Sequence, residues 1–161
     1  MEKIIVRRYL KWEETQIRDF VLGIQNGEFG LGFLPEEQPD LLDLNKFYSS
    51  GGFWIATAEA KIYGTIGFQK IDDRNGVLRK MFVAKDFRGS EVGIAQKLFD
   101  KLKEFALETG MEFVFLDTPS IAVASHRFYV RNGFIELPIG STLPKGYSYP
   151  DRNSKIFMLK L

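Results

Sequence analysis

The sequence predicts an α/β fold, an α+β mixed sheet with helices on its faces, and three observations support it. Short apolar runs indicate strands, and segments with one apolar helical face lie between them. The early strands are joined by hairpin-length turns, so we expect them to be antiparallel. A later strand–helix–strand unit, Val77–Asp117, should be parallel and right-handed. The predicted element order is β-α-α-β-β-β-α-β-α-β-β.

The first part of the chain predicts a strand, two helices and a loop between the helices. A strand over Ile4–Leu10 precedes a helix over Glu13–Gln25, in which apolar residues recur every three or four positions. Asn26–Pro39 is rich in glycine and proline, which indicates a loop. A second, short helix over Asp40–Tyr48 has Asp40 as its predicted N-cap.

Three strands and the clearest helix of the chain follow. The strands are Phe53–Glu59, Lys61–Ile71 and Val77–Val83, and a turn over Asp72–Gly76 joins the last two. The helix has one apolar face, formed by Ala95, Leu98, Phe99, Leu102, Phe105 and Ala106. Such a face predicts that this helix packs on the sheet.

The rest of the chain predicts one more helix among three strands. A fifth strand spans Glu112–Asp117, and a helix over about Ala122–Arg131 ends at an Asn-Gly pair. Strands Phe134–Pro138 and Ser154–Leu161 close the chain around a long loop. The length fits a single domain over residues 1–161.

Composition and charge exclude several classes of protein. Hydrophobic residues make up 45% of the chain, and the absence of cysteine excludes a disulfide scaffold, a zinc–thiolate site and a cysteine nucleophile. The net charge of +1 gives no electrostatic reason to expect nucleic acid or a membrane as a partner. Neither a secretory signal nor an apolar stretch near the ~20 residues that cross a bilayer is visible, so we expect a cytoplasmic protein.

The most informative stretch runs from Phe82 to Leu98, where a strand leads through a loop into the long helix. The first N–H groups of a helix have no partner inside it and carry the positive end of its dipole, so they suit a pyrophosphate. Gly89 and Gly93 permit close approach of the backbone, and Arg88 adds a cation. The spacing fits neither a P-loop nor a dinucleotide fingerprint. Alternatively, both glycines only shape a turn.

Three motifs and the element order resemble the GNAT acetyltransferase superfamily. Its Arg/Gln-x-x-Gly-x-Gly/Ala loop corresponds to Arg88–Gly93. F-Y-V-R-N-G-F at Phe128–Phe134 is similar to its F-Y-x-x-x-G-F, and I-Y-G-T-I-G-F at Ile62–Phe68 is similar to its third strand. The resemblance implies the acyl-CoA N-acyltransferase (GNAT) fold, with acetyl-CoA as cosubstrate and no metal.

The resemblance also implies a role for each residue of the CoA site. Backbone groups of Met81, Phe82 and Val83 would pair with the pantetheine arm. The N–H groups that would hold the pyrophosphate belong to Arg88, Gly89, Ser90, Glu91, Val92, Gly93 and Ile94. In the family the fourth and fifth strands splay apart around the thioester, and Tyr129 matches the tyrosine that faces the CoA sulfur.

These roles suit the chemistry of acetyl transfer. A neutral amine attacks the thioester carbonyl, and the resulting oxyanion, which an N–H near Val83 would stabilise, expels a thiolate. The Tyr129 phenol would protonate that thiolate as a general acid. The alternative for Tyr129 is a half-buried ring that packs the last helix on the sheet.

Two positions depart from the family pattern. Glu91 stands where the loop usually has its second glycine, and we expect its side chain to point into solvent because its charge would repel a diphosphate. Val77 stands where many members carry a glutamate as the base, so the base is not evident. Asp117 and His126 are weaker candidates, with His126 expected as an exposed helix residue, and the amine can also lose its proton through water.

Two loops are expected to border the acceptor, Glu28–Pro35 and Ile139–Asn153. Their large apolar or aromatic residues are Phe29, Leu31, Phe33 and Leu34 in the first loop and Tyr147 and Tyr149 in the second. The alternative is that these side chains anchor their own loops to the core. Glu36, Glu37 and Asp40 would attract a cationic amine, or are simply solvated.

The sequence therefore predicts acetyl transfer from acetyl-CoA to a small-molecule or peptidyl amine. The alternative hypotheses are a transferase of a longer acyl group, a CoA-binding module without turnover, and an interaction domain that uses the Phe-rich loop. A homodimer through edge strands is compatible with the fold. The acceptor itself is not specified by the sequence.

Overall fold

A seven-stranded mixed sheet organises the residues that the computed structural model describes, 3–89, 91–148 and 153–161. The strands are β1 (Ile5–Arg8), β2 (Gly52–Ala58), β3 (Lys61–Lys70), β4 (Asn75–Val83), β5 (Phe113–Pro119), β6 (Ile135–Glu136) and β7 (Ser154–Lys160). Their order is β1-β2-β3-β4-β5-β7-β6. β1, β2 and β3 are antiparallel neighbours, as are β5, β7 and β6, whereas β4 and β5 are parallel. The predicted mixed sheet and the parallel unit are confirmed.

The helices follow the predicted order, with one prediction corrected. They are α1 (Glu14–Leu22), α2 (Pro39–Leu42), α3 (Leu44–Phe47), α4 (Ile94–Glu108) and α5 (Val123–Arg131). The predicted single helix over Asp40–Tyr48 is two short helices, and Asp40 as its N-cap is wrong. Asp43 caps α3 instead, because its Oδ1 accepts the Lys46 N–H at 3.0 Å. Asp40 is the second residue of α2 and is buried.

The chain forms two compact units, and the first comprises Met1–Gln69 and Arg79–Phe105. One cluster of its core contains Tyr48, which follows α3, and residues of α1, α2, α3, β2 and β3: Ile17, Val21, Leu41, Leu44, Phe53, Ile55 and Ile62. The Ile62–Phe68 motif contains two glycines of β3, Gly64 and Gly67, at positions where a larger side chain would clash. A Cβ at Gly64 would lie 2.9 Å from the Leu98 side chain of α4, and one at Gly67 would lie 2.8 Å from the Tyr48 ring. Both glycines therefore permit close packing on the two faces of β3.

The second unit comprises Lys70–Leu78 and Ala106–Leu161. β4 and β5 pair here through Asn75–Val77 and Phe113–Phe115. One cluster buries Val77, Phe115 and Tyr147, and another ring group contains Tyr129, Phe134 and Phe157. The strand predicted at Phe134–Pro138 is confirmed but contains only two residues.

Candidate active site

Both glycines of the loop between β4 and α4 have a left-handed backbone conformation. Gly89 has φ 111° and Gly93 has φ 71°, both in the left-handed region where residues with a Cβ are strained. Among the described residues other than its chain neighbours, none comes within 4 Å of a Cβ built on Gly89, so the backbone conformation, not lack of space, requires glycine there. The Gly93 N–H donates to the Gly89 carbonyl at 3.1 Å, which closes the loop immediately before α4.

The predicted anion site requires the amino end of α4, which begins at Ile94. The Lys97 N–H donates to the Gly93 carbonyl at 3.1 Å, so the helical ladder begins at the loop itself. Ile94 is buried and fixes this end of the helix in the core of the first unit, while Val92 is exposed. The expectation that Glu91 points into solvent is confirmed by its exposure. Ser90 lies outside the described residues.

Arg88 is held by three hydrogen bonds. Its Nη1 and Nη2 donate to the two carboxylate oxygens of Glu28 at 2.6 and 2.7 Å, and its Nε donates to the Val83 carbonyl at 2.9 Å. The guanidinium also lies 5.9 Å from the centre of the Phe29 ring. Hydrogen bonding to Arg88 lowers the pKa of the Glu28 carboxyl. Arg88 therefore ties the end of β4 to the Glu28–Pro35 loop.

Strand β4 carries an irregularity at Lys80, just before the segment predicted to bind pantetheine. Lys80 has φ 51°, which is uncommon for a residue with a side chain. The hydroxyl of Thr65, a fully buried residue of β3, donates to the Lys80 carbonyl at 2.7 Å. Met81 and Phe82 are partly buried and Val83 is buried. This buried hydrogen bond stabilises the left-handed backbone conformation of Lys80.

In the second unit, Tyr129 is almost fully buried, with 7% of its surface exposed. Its ring centre lies 5.7 Å from that of Phe134 and 5.9 Å from that of Phe157. Burial raises the pKa of the Tyr129 phenol, and the negative charge of Asp117 raises it further. Among the described residues its hydroxyl has no hydrogen-bond partner. The phenol therefore stays protonated at neutral pH and keeps its proton free to donate.

Asp117 is held by the long loop that precedes β7. The Tyr147 hydroxyl donates to Asp117 Oδ2 at 2.6 Å, and the Tyr147 ring packs edge-on against Phe115 at 6.1 Å. Tyr147 therefore anchors its own loop to β5. Sequence reasoning named both residues but missed the pair, since 30 positions separate them and no local pattern links them.

The other base candidates have structural partners as well. His126 is partly buried rather than exposed as expected, because its Nε2 lies 3.0 Å from the Pro119 carbonyl oxygen and its ring lies 5.5 Å from Phe157. Val77 is buried in the core of the second unit. Within the described ranges, no three His, Cys, Asp or Glu side chains are grouped as metal ligands.

The two predicted acceptor loops differ in how they are held. The Asn26 side chain brackets the backbone of Phe33, accepting its N–H at 2.7 Å and donating to its carbonyl at 2.9 Å. Phe29 and Leu34 remain 54% and 59% exposed, so these two side chains do not anchor the first loop to the core. Tyr147 does anchor the second loop, and Tyr149 lies outside the described residues.

Of the three acidic residues near the first loop, two are exposed and one is not. Glu36 and Glu37 face solvent. Asp40 is 5% exposed, and its Oδ2 accepts the Tyr48 hydroxyl at 2.7 Å and lies 3.4 Å from Lys80 Nζ. Burial and the adjacent Asp40 carboxylate raise the pKa of the Tyr48 phenol, so Tyr48 is neutral in this cluster.

Comparison with known proteins places the chain in a family. The acetyltransferase (GNAT) family matches residues 18–134. A probable N-acetyltransferase camello from Xenopus tropicalis is 34% identical over 100 residues, which are 59% of this chain and 45% of that protein. The chain thus spans less than half the length of this curated relative. Among the described residues, no helix has the length and apolar character needed to cross a bilayer.

Solved structures match over the whole chain. An acetyltransferase from Streptococcus agalactiae 2603 has a TM-score of 0.92 at 32% identity, with 100% of both chains covered. PaiA N-acetyltransferase from Thermoplasma acidophilum, solved in complex with coenzyme A, has a TM-score of 0.76 at 14% identity and covers 99% of this chain and 100% of that chain. The second likeness concerns the fold alone. The motifs, the sheet topology and these matches agree: the chain belongs to the GNAT acetyltransferase family.

Proposed function

We propose that this protein transfers an acetyl group from acetyl-CoA to a primary amine by direct attack, without a metal. One observation carries the proposal: the loop that follows β4 turns through two left-handed glycines, Gly89 and Gly93, directly into the amino end of a 15-residue helix. Backbone N–H groups and the helix dipole at such an end favour a doubly charged phosphate group.

The diphosphate of CoA would bind the backbone from Arg88 to Ile94. The Gly93 N–H is engaged inside the loop, so this glycine contributes shape, and the neighbouring amides contribute the contacts. The pantetheine arm would pair with the backbone of Met81–Val83. Arg88 supports the site indirectly, since its side chain binds Glu28 and the Val83 carbonyl.

The transfer itself needs one proton taken from the amine and one given to the sulfur. The neutral amine forms a bond to the thioester carbonyl carbon, the C–S bond breaks, and the thiolate leaves. Tyr129 donates its phenolic proton to that thiolate, a role supported by its protonated state and by its unpartnered hydroxyl. The amine proton passes to water in this proposal, and Asp117 and His126 stay the alternative bases, since one hydrogen bond each does not use up a carboxylate or an imidazole.

A CoA-binding module without turnover is the second candidate, and two observations favour it. Val77 is buried where many members have a catalytic glutamate, and Glu91 places a negative charge in the diphosphate loop. A transferase of a longer acyl group is the third, since no residue described above limits the length of the donor. Cytoplasmic location and homodimerisation stay predictions from the sequence.

The test is incubation with acetyl-CoA, a panel of primary amines and a thiol reagent. The proposal predicts thiol release that depends on the amine, together with an equal amount of acetylated amine by mass spectrometry. Thiol release without amine would indicate hydrolysis instead. Binding of CoA with no thiol release across the panel would support the CoA-binding module without turnover. Faster thiol release from longer acyl-CoA compounds than from acetyl-CoA would support a transferase of a longer acyl group.

A further inference from the structure

Two neighbouring cations of β4 project to the same side of the sheet. Consecutive side chains of a regular strand point to opposite faces. Here the Arg79 guanidinium lies 5.6 Å from the centre of the Phe47 ring in α3, and Lys80 Nζ lies 3.4 Å from Asp40 Oδ2 in α2. The left-handed backbone of Lys80 accounts for this, because such an irregularity re-aims the side chains of a strand.

Arg79 is hydrogen-bonded through Nε, and its Nη1 and Nη2 remain able to donate to a ligand. Its Nε donates to the Gln69 side chain at 2.7 Å, and its guanidinium carbon lies 5.6 Å from the centre of the Phe47 ring, within cation–π range. Among the described residues, Nη1 and Nη2 have no hydrogen-bond partner and no carboxylate pairs with Arg79. A guanidinium fixed in this way offers two parallel N–H donors, the geometry that a carboxylate accepts best.

The charges of the cluster do not cancel. Lys80 pairs with Asp40, whose carboxylate also accepts the Tyr48 hydroxyl. Tyr48 is neutral because burial raises its pKa. The positive charge of Arg79 is therefore left for a ligand, and its partly buried position strengthens the attraction for an anion relative to an exposed arginine.

Arg79 also lies at the correct end of the strand to meet the acceptor. The diphosphate loop follows Val83, so a pantetheine arm that pairs with Met81–Val83 runs back along β4 toward Arg79. A strand rises about 3.3 Å per residue, which puts Arg79 roughly 7 Å along the strand from Met81. Groups just beyond the thioester end contact the incoming amine and not the donor.

We propose that Arg79 binds a carboxylate of the acceptor, so that the acceptors are small amines that carry a carboxylate, such as amino acids. This inference rests on the proposed acetyl transfer. Lys80 and Asp40 position Arg79 by fixing the irregular stretch of β4. The carboxylate belongs either to the α-position or to a side chain of the acceptor, and the two sources are separable by assay.

The experiment compares each amino acid with its α-amide, and aspartate and glutamate with asparagine and glutamine. We expect kcat/KM to be at least about tenfold higher for the partner that keeps the recognised carboxylate. The α-amide pairs report on the α-carboxylate and the second set reports on a side-chain carboxylate. Equal kcat/KM across both sets, with turnover intact, would overturn the carboxylate site and leave acetyl transfer standing.

Variants connect the preference to the residue. Arg79→Gln should raise KM for the carboxylate acceptors by about 10- to 100-fold with little change in kcat, and should leave the amides unchanged. Arg79→Lys should keep part of the preference. Arg74→Gln removes an arginine from the same strand hairpin, where it pairs with Glu112 on the surface, and serves as the matched control. A loss of kcat for acids and amides alike would assign Arg79 a structural role only.

A binding measurement keeps the inference testable if no amine is acetylated, an outcome that would refute the proposed function. N-acetylated amino acids and their amides are titrated by calorimetry into the CoA-loaded protein. Tighter binding of the acids to the wild type, lost in Arg79→Gln with an unchanged melting temperature, would support the carboxylate site. Equal binding of acids and amides would overturn it.

Discussion

Replacement of Tyr129 by phenylalanine separates the catalytic role of this residue from its packing role. The ring stays and keeps its contacts with Phe134 and Phe157, and only the hydroxyl is lost. Because that hydroxyl has no partner among the described residues, its removal leaves no unpaired group behind. The free energy of unfolding should therefore change by less than about 1 kcal/mol.

The expected loss of turnover follows from the pKa of the phenol. General acids contribute roughly 10²–10⁴-fold to a rate. Burial raises the pKa of Tyr129 above its ordinary value of 10.0, whereas a thiol has a pKa of about 8.5, so proton transfer to the thiolate is unfavourable. We therefore expect the lower end of the range, a kcat about 100-fold lower in Tyr129→Phe, which is about 2.7 kcal/mol in activation free energy.

The assay measures thiol release from acetyl-CoA at saturating amine, together with CoA affinity by calorimetry and stability in urea. Tyr9→Phe is the matched control, because it removes a hydroxyl that lies 3.4 Å from Glu14 in the first unit and has no proposed role. The control should keep wild-type kcat. A kcat of Tyr129→Phe within threefold of wild type, at unchanged CoA affinity, would refute the general-acid assignment.

Three further predictions concern the loop, the strand irregularity and pH. Glu91→Gly should bind CoA about two- to fivefold more tightly at low salt by calorimetry, since an exposed carboxylate is removed from the diphosphate loop, and equal affinities would mean that the charge is harmless. Thr65→Val should lower the free energy of unfolding by about 1–3 kcal/mol, because the Lys80 carbonyl loses its buried donor; an unchanged urea midpoint would contradict this. The folded state raises the pKa of Tyr48 and Tyr129, so their stabilising contribution is complete below pH 10 and is lost as the pH rises above it. Urea unfolding from pH 8 to 11 should show a free energy of unfolding that falls as the pH rises, and Tyr48→Phe should make the fall smaller. The same pH dependence in wild type and variant would contradict a raised pKa of Tyr48 in the folded state.

Local sequence patterns predicted the elements well, because apolar periodicity and turn residues act over a few positions. The helix over Ala95–Ala106 and the strands on either side of it appear as expected. Gly89 and Gly93 were identifiable because glycine is the residue that a left-handed turn requires. A CoA-binding measurement decides between a diphosphate site and the alternative, a turn that binds no ligand.

The parts that the sequence did not predict depend on contacts between distant residues. Arg88 and Glu28 are 60 positions apart, so the sequence, which placed Arg88 in the pyrophosphate loop, gave no signal that its side chain pairs with Glu28. Lys80 gives no local signal for a left-handed backbone, since lysine has no preference for it. Asp40 looked like a helix cap by type, but burial beside Tyr48 and Lys80 gave it another role.

We expect the backbone between β4 and α4 to bind the diphosphate of CoA. Calorimetric titration with CoA and, separately, with pantetheine isolates the contribution of the diphosphate, because pantetheine keeps the arm and lacks the diphosphate. We predict a dissociation constant below millimolar for CoA and binding at least about tenfold weaker for pantetheine. No heat with millimolar CoA, or equal affinity for the two compounds, would contradict the claim.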